Sequence, residues 1–174
     1  MVEGIRRFTT EYVMHEDRIR LSLETSGGQV RFLWLTRRLC TRLVPQISNI
    51  LAQRPKIYEA AVRPPTDNAQ RRSQMNALGK LEKQSPVRAM VDENVEEHLV
   101  PILSIRMTAA SILLDFKATE DHLIQTIPFP EDALRQWLVM LKACFVKAEW
   151  TDDVWPDWIV MKGGEEGADP VRLN

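Results

Sequence analysis

Two consecutive arginines at the start of a predicted helix are the clearest candidates for anion binding. Arg37 and Arg38 directly follow Thr36, a residue type that often caps helix N-termini, and Arg42 lies about one turn further on. Free backbone N–H groups and the dipole at such a helix end favour anions, and guanidinium groups bind phosphate strongly. The sequence favours an interpretation in which the arginine stems cover the sheet while acids of the C-terminal half neutralise them, and an anion site is the alternative.

The charges are distributed unequally along the chain, so the two halves either neutralise each other across their interface or form a dipolar molecule that can associate head to tail through exposed sheet edges. Residues 1–90 contain 16 Lys and Arg against 8 Asp and Glu, whereas residues 91–174 contain 7 against 16, so a formal charge of −1 hides two opposite halves. The phosphates of a nucleic acid attract a basic surface of this kind. The candidate anion or nucleic-acid contacts are Arg37, Arg38, Arg42, Arg71 and Arg72.

Two features count against nucleic-acid binding. Stacking on unpaired bases requires exposed aromatic rings, yet Phe32 and Trp34 of the basic half are predicted to be core residues. The acidic second half would also repel a polyanion unless it were turned away.

Three tryptophans within nine residues form the second candidate site. Trp150, Trp155 and Trp158 are interleaved with acidic residues near the end of the chain. Tryptophan is enriched among the residues that dominate protein interfaces, and the acids would steer the segment towards a basic partner. The three residues are candidates for partner docking; because tryptophan is costly to expose, the sequence slightly favours the alternative in which the rings fold back over an open edge or face of a sheet.

The residue types that commonly perform catalysis or bind metals are dispersed. His15, Glu16 and Asp17 fall in a turn and residues 96–98 at a linker end, and neighbours on an extended chain point to opposite sides. The sequence contains no metalloprotease, phosphate-loop, serine-hydrolase, deaminase or calcium-loop motif. It therefore predicts no metal site and no cofactor, and it favours a non-catalytic protein over an enzyme.

Composition and cysteine usage favour a cytoplasmic location. The first residues lack the apolar stretch of a secretory signal, and no window approaches the roughly 18 apolar residues that span a bilayer. Cys40 and Cys144 each lie in an apolar helical pattern, which is typical of reduced, buried thiols. With 174 residues, 44% of them hydrophobic, the chain is expected to form a single domain over 1–174.

The elements that hold these residues follow a pattern that occurs twice. The predicted strands of the first unit, residues 8–53, are 8–14, 18–24 and 30–35. Strict alternation of polar and apolar residues along the second of these strands, followed by a Ser-Gly-Gly turn, predicts a hairpin. A helix follows Thr36 with an apolar stripe, and Pro45 predicts a kink or a break within it.

The second unit, residues 101–148, repeats this order. Its predicted strands are 103–107, 112–117 and 122–127. Pro130 and two acids then open a helix, because proline suits the first helical position and acids suit the positive end of the dipole. The sequence thus predicts an α+β fold: a duplicated βββα unit with antiparallel sheet, helices packed on it and a long connecting segment between the copies.

The connecting segment, residues 54–100, has four prolines and few large apolar residues, which predicts a surface linker. A modest helix is predicted over 67–83, with Met75, Leu78 and Leu81 on one face. Residues 149–174 form a tail rich in tryptophan and acids.

These observations favour a non-catalytic interaction or assembly subunit that acts through sheet edges, the linker and the Trp-rich tail. Its partner is expected to be another protein or a second copy of the chain, as a homo-oligomer or complex subunit, and not a membrane. The alternative is a nucleic-acid-binding protein that uses the basic half. An enzyme ranks third, as a subunit that completes another chain's site.

Overall fold

The computed structural model describes residues 3–53, 67–81, 85–88 and 95–159, which form seven strands in two sheets and three α-helices. Three consecutive antiparallel strands lead directly into a helix near the start of the chain, and the same order recurs near its end. The prediction of an α+β fold with a duplicated βββα unit is confirmed.

The first sheet begins with three antiparallel strands: β1 (Ile5–Val13), β2 (Arg18–Thr25) and β3 (Val30–Thr36). Alternation along β2 places Ile19, Leu21 and Leu23 on the inner face, where all three are fully buried. The turn into β3 uses Gly28 at φ 84°, a left-handed conformation that glycine adopts without steric cost.

A fourth strand, which the sequence pattern does not predict, extends this sheet from within the connecting segment. β4 (Glu96–Leu99) pairs with β3 in parallel. Its residues show no apolar alternation, and polar contacts hold it: the Arg31 guanidinium donates to Glu96 Oε2 at 2.8 Å, and Trp34 Nε1 donates to Glu97 Oε2 at 2.8 Å. Tertiary contacts therefore specify this strand rather than local propensity.

The outer face of the first sheet carries two aromatic residues that sequence reasoning placed in the core. Phe32 is buried there in a small separate cluster with Val30 and Val87. Trp34 also faces outward and is only half-buried, so its assignment to the core is wrong. One row across the four strands consists of Glu11, Arg20, Trp34 and Leu99.

The second sheet consists of β5 (Ile102–Met107), β6 (Ile112–Thr119) and β7 (His122–Phe129), all antiparallel. β7 runs two residues beyond its predicted end and includes Pro128, which an edge strand tolerates. Asp115 is buried on β6, where its carboxylate accepts hydrogen bonds from Arg106 and Thr126. The Arg106 bonds hold the pKa of Asp115 below its usual value, although burial opposes this shift.

The first helix, α1 (Arg37–Gln53), continues through Pro45, so the predicted break does not occur. Thr36 caps the helix as predicted, because its Oγ1 accepts a hydrogen bond from the Leu39 N–H at 3.2 Å. Proline inside a helix costs about 3 kcal/mol. The apolar stripe on both sides of Pro45 offsets this cost by packing into the core; its buried members include Cys40, Leu43, Val44, Ile47 and Leu51.

The other two helices pack against each other. α3 (Glu131–Lys147) begins directly after Pro130, as predicted. α2 (Asp67–Gly79) ends four residues earlier than predicted, and it packs through Gln74, Ala77 and Leu78, whereas Met75 is exposed. The face predicted from Met75, Leu78 and Leu81 is therefore wrong, because polar residues take part in the packing.

One hydrophobic cluster joins both sheets with α1, α3 and the segment that follows α3. The two βββα units thus contribute side chains to a common core among the described residues. None of the helices described is long and apolar enough to cross a membrane.

Candidate functional site

The structure separates the five arginines predicted to bind anions into two groups. Arg37, Arg38 and Arg42 are exposed at the beginning of α1. The Arg37 guanidinium donates a hydrogen bond to Thr151 Oγ1 at 3.3 Å. The other pair, Arg71 and Arg72, is exposed on α2. The Gln70 amide donates to the carbonyl oxygen of Leu51 at 3.3 Å, which places this pair near the other end of α1. Residues 37 and 51 are about 21 Å apart along the helix axis, so the two groups do not form one site.

The three tryptophans predicted to dock a partner are buried. Trp150, Trp155 and Trp158 are at most 8% exposed and belong to the main core cluster. Trp150 Nε1 donates to Asp17 Oδ1 at 3.1 Å, and its ring packs edge-on against Tyr12 and Phe145. The alternative in which the rings fold back onto the protein therefore describes this structure, and no ring of the three offers an exposed contact surface.

The histidine-containing triplets are occupied by internal contacts. Asp17 accepts hydrogen bonds from Tyr12 and Trp150, which lower its pKa, and Glu96 contacts both Arg31 and His98. In the part of the chain that the structure describes, no group of three or more His, Cys, Asp or Glu is close enough to hold a metal ion.

Both cysteines lie within the core and are free thiols. Burial raises the pKa of the Cys40 thiol far above its usual value and that of Cys144 to about 11. Burial therefore disfavours the thiolate, which is the reactive form of cysteine, at both positions.

The site that stands out is a cleft of about 520 Å³ along the edge of β1. Six consecutive residues of this strand, Ile5 to Thr10, line it over about 17 Å. Phe8 and Thr10 lie opposite the buried Leu23 and Leu21 and so face inward, whereas Arg7 and Thr9 lie opposite Glu24 and Ser22 and face outward. Residues from both faces line the cleft, so it follows the edge of the strand.

This edge of β1 has no strand partner among the described residues. β1 pairs only with β2, on its other side. The facing edge belongs to β7, which contributes Ile127, Pro128 and Phe129 to the cleft, and Pro128 has no N–H to donate. The cleft therefore lies between the edges of two sheets, and β1 is the edge that offers both donors and acceptors.

An aromatic cluster forms the inner wall of the cleft. The Phe8 and Phe129 rings meet edge to face at 5.5 Å between centroids, and Phe129 stacks on Trp137 at 5.3 Å. Trp137 Nε1 donates to Thr10 Oγ1 at 2.9 Å and so ties α3 to β1. The large apolar side chains of Leu81 and Met140, which are 42% and 40% exposed, stand at the rim.

The outer wall and one end are polar and basic. Residues 85–88 cross the outer face of β1, where Arg7 donates to the Ser85 carbonyl at 3.1 Å and the Val87 N–H donates to Thr9 Oγ1 at 2.7 Å. The charged residues of the cleft are Arg6, Arg7 and Lys80, with no acidic side chain among the described residues that line it.

Comparison of the chain with protein-family models, with curated proteins and with solved structures found no match.

Sequence reasoning missed this cleft. The sequence does show two basic residues, Arg6 and Arg7, near the start of β1. The aromatic residues that pack beside them, Phe129 and Trp137, come more than a hundred positions later in the chain. The alternation of β1 does not indicate that one edge of this strand is unpaired.

Proposed function

We propose that this protein is a non-catalytic interaction protein that recruits another protein by adding an extended segment of it to the edge of β1. The observation that most directly supports this proposal is the cleft, in which an unpaired strand edge lies between an apolar inner wall and a polar outer wall. Strand addition uses these features together, because backbone hydrogen bonds supply affinity and alternate side chains enter pockets. The sequence predicts sheet edges, the linker and the Trp-rich tail as interaction surfaces, and the proposed interface is a sheet edge.

The dimensions of the cleft support a peptide segment as the occupant. Its volume lies within the range of about 300 to 1,000 Å³ that is typical of ligand sites. Its length follows six residues of one strand, which suits an extended chain better than a compact small molecule. The exposed side chains of Met140 and Leu81 are of the apolar type that protein interfaces bury.

Replacing Met140 by aspartate tests this proposal. We expect Met140→Asp to reduce at least tenfold the amount of the partner that co-purifies with the untagged protein from its own cells, because the new charge would be buried on binding. Val146→Asp is the matched control, since Val146 lies on the same helix, is 57% exposed and does not line the cleft. The readout is the native mass and the composition of the recovered complex.

Three results would contradict the proposal. Recovery of the wild-type protein as a monomer with nothing bound would contradict the proposal that it recruits a partner. Equal recovery of the partner with Met140→Asp and wild type would place the interface elsewhere, and so would equal loss with both variants. Far-UV circular dichroism of each variant checks that the fold is intact.

Nucleic-acid binding is the second candidate, and the outward position of Trp34 favours it. Arg20 packs over the Phe32 and Trp34 rings, at 4.3 and 5.5 Å from their centroids, so a cation and a half-exposed indole lie together on a four-stranded sheet. Single strands bind such surfaces by stacking bases on aromatic rings. Arg20 is also paired with Glu11, however, and this ion pair lowers the local positive charge.

A titration with labelled oligothymidylate at low salt tests this second candidate. If the protein stacks bases on Trp34, Trp34→Ala will weaken binding by about 5-fold to 150-fold, the equivalent of about 1 to 3 kcal/mol per base. Met75→Ala, at an exposed position of α2, should have no effect. A flat titration with the wild-type protein would eliminate the candidate.

A further inference from the structure

We infer that the segment added to β1 alternates acidic and apolar residues, with its acidic side chains on the outer face of the sheet. This inference rests on the proposed function, and it names the chemical class of the partner. Its first support is that the charged residues lining the cleft, among those described, are all basic: Arg6, Arg7 and Lys80 are three cations that pair with only two carboxylates, those of Glu24 and Asp132.

The positions of the two arginines fix the side on which the acids would bind. The Arg6 and Arg7 guanidinium groups both donate to the carboxylate of Glu24, which lies opposite Arg7 on the outer face. Two cations therefore share one anion, and Arg6 remains 72% exposed along its side chain. A carboxylate of a bound segment would complete this cluster, since guanidinium groups form strong hydrogen bonds with carboxylates.

The inner side of the same edge requires apolar residues. Phe8 is partly exposed there, Phe129 and Trp137 pack behind it at 2% and 1% exposure, and Met140 stands at the rim. Side chains of a strand alternate between the two faces of a sheet. A strand added to β1 would therefore place every second residue against this aromatic wall and the residues between them near Arg6 and Arg7.

The fold also limits the length of the segment. Beyond Thr10, β1 is covered by α3 and the segment that follows it, because Trp137 of α3 bonds to Thr10 and Trp150 packs on Tyr12. The open edge thus ends near Thr10, and about six residues of a partner fit along it.

Two peptides of opposite charge test the inference on the full chain. The probes are two fluorescein-labelled eight-residue peptides. One alternates glutamate and valine, and the other alternates lysine and valine. We expect the glutamate peptide to bind at least about tenfold more tightly, with the difference decreasing as salt is added. Amide shifts in β1 should accompany binding. Alternate N–H groups of a strand point to opposite sides, so N-methylation of one alternate set of peptide bonds, the set that faces β1, should abolish binding, and N-methylation of the other set should not.

Charge reversal in the cleft supplies the matched variants. The double substitution Arg6→Glu and Lys80→Glu should reverse the preference so that the lysine peptide binds more tightly. The control is Arg71→Glu with Arg72→Glu, which changes the net charge by the same amount at exposed positions of α2 and should leave the preference unchanged.

The outcomes separate this inference from the proposed function. Equal binding of the two peptides, both lost in Met140→Asp, would overturn the acidic preference while leaving strand addition at β1 in place. Binding that Met140→Asp and N-methylation do not affect would overturn both. A glutamate peptide that binds only after the chain is truncated following Ile159 would identify the C-terminal residues of this chain as the occupant, which also overturns an external acidic partner.

Discussion

Trp150→Ala is expected to lower the free energy of unfolding by about 3 to 5 kcal/mol, the usual cost of deleting a buried aromatic side chain. Trp150 is 6% exposed, and its ring contacts Tyr12 on β1 and Phe145 on α3. The substitution also removes the hydrogen bond to Asp17. Urea unfolding followed by far-UV circular dichroism measures the change.

Trp34→Ala is the control for this prediction, because it deletes the same side chain from the half-buried outer face and should cost less. Truncation after Ala148 removes the whole Trp-containing segment and should prevent stable folding. If the truncated protein instead keeps its fold and loses only its association with a partner, the tryptophans are docking residues and the packing explanation fails.

Glu131→Ala is expected to destabilise the protein by about 3 kcal/mol, because it leaves a buried cation without its carboxylate. Arg135 is 1% exposed, and its Nε and one terminal nitrogen both donate to Glu131 Oε1 at 3.0 Å. The remaining support is a bond to Gln70 Oε1 at 2.8 Å and the Trp158 ring, whose centroid lies 5.3 Å away. Thermal and urea unfolding give the measurement.

Asp132→Ala supplies the matched control in the same helical turn. Asp132 pairs with Lys80, whose side chain is 68% exposed, so its loss should cost no more than about 1 kcal/mol. Arg135→Met, which removes the buried charge itself, should be much less harmful than Glu131→Ala. Equal effects of Glu131→Ala and Asp132→Ala would show that the helix dipole, and not the buried cation, explains the loss.

Alternation of polar and apolar residues predicted best the strands β2 and β6, each of which lies between two other strands. β2 and β6 place apolar residues at every second inner position, and these are buried as the alternation predicts, although polar residues of the other face, such as Ser22, Glu24 and Asp115, are buried as well. Trp34 was misplaced because β3 is apolar on both faces, and a continuous apolar run does not indicate which face is covered. β4 has four residues and is held by Arg31 and Trp34, so no periodicity marks it.

The candidate site was less predictable than the fold for a physical reason. The position of a cleft depends on which strand edges remain unpaired after folding. Here the other walls of the cleft come from β7 and α3, which lie far from β1 in the sequence. The arginines predicted to bind anions are exposed, but Arg37, Arg38 and Arg42 lie at the beginning of α1, whereas Arg71 and Arg72 lie on α2 near the other end of α1. Arg6 and Arg7 become part of a site only because the fold brings Glu24 and Trp137 beside β1.

The contacts that tie β1 to α3 have a consequence for how the chain folds during synthesis. Trp137 of α3 bonds to Thr10 of β1 across 127 positions, and just beyond these elements Trp150 bonds to Asp17 across 133. The inner face of the first strand is therefore not fully covered until α3 and the residues after it have been synthesised. Contacts of such long sequence separation slow folding, because a large loop must close before they form. A nascent chain that ends before α3 therefore exposes Phe8 and Tyr12 on a sheet edge, where pairing with other chains competes with completion of the fold.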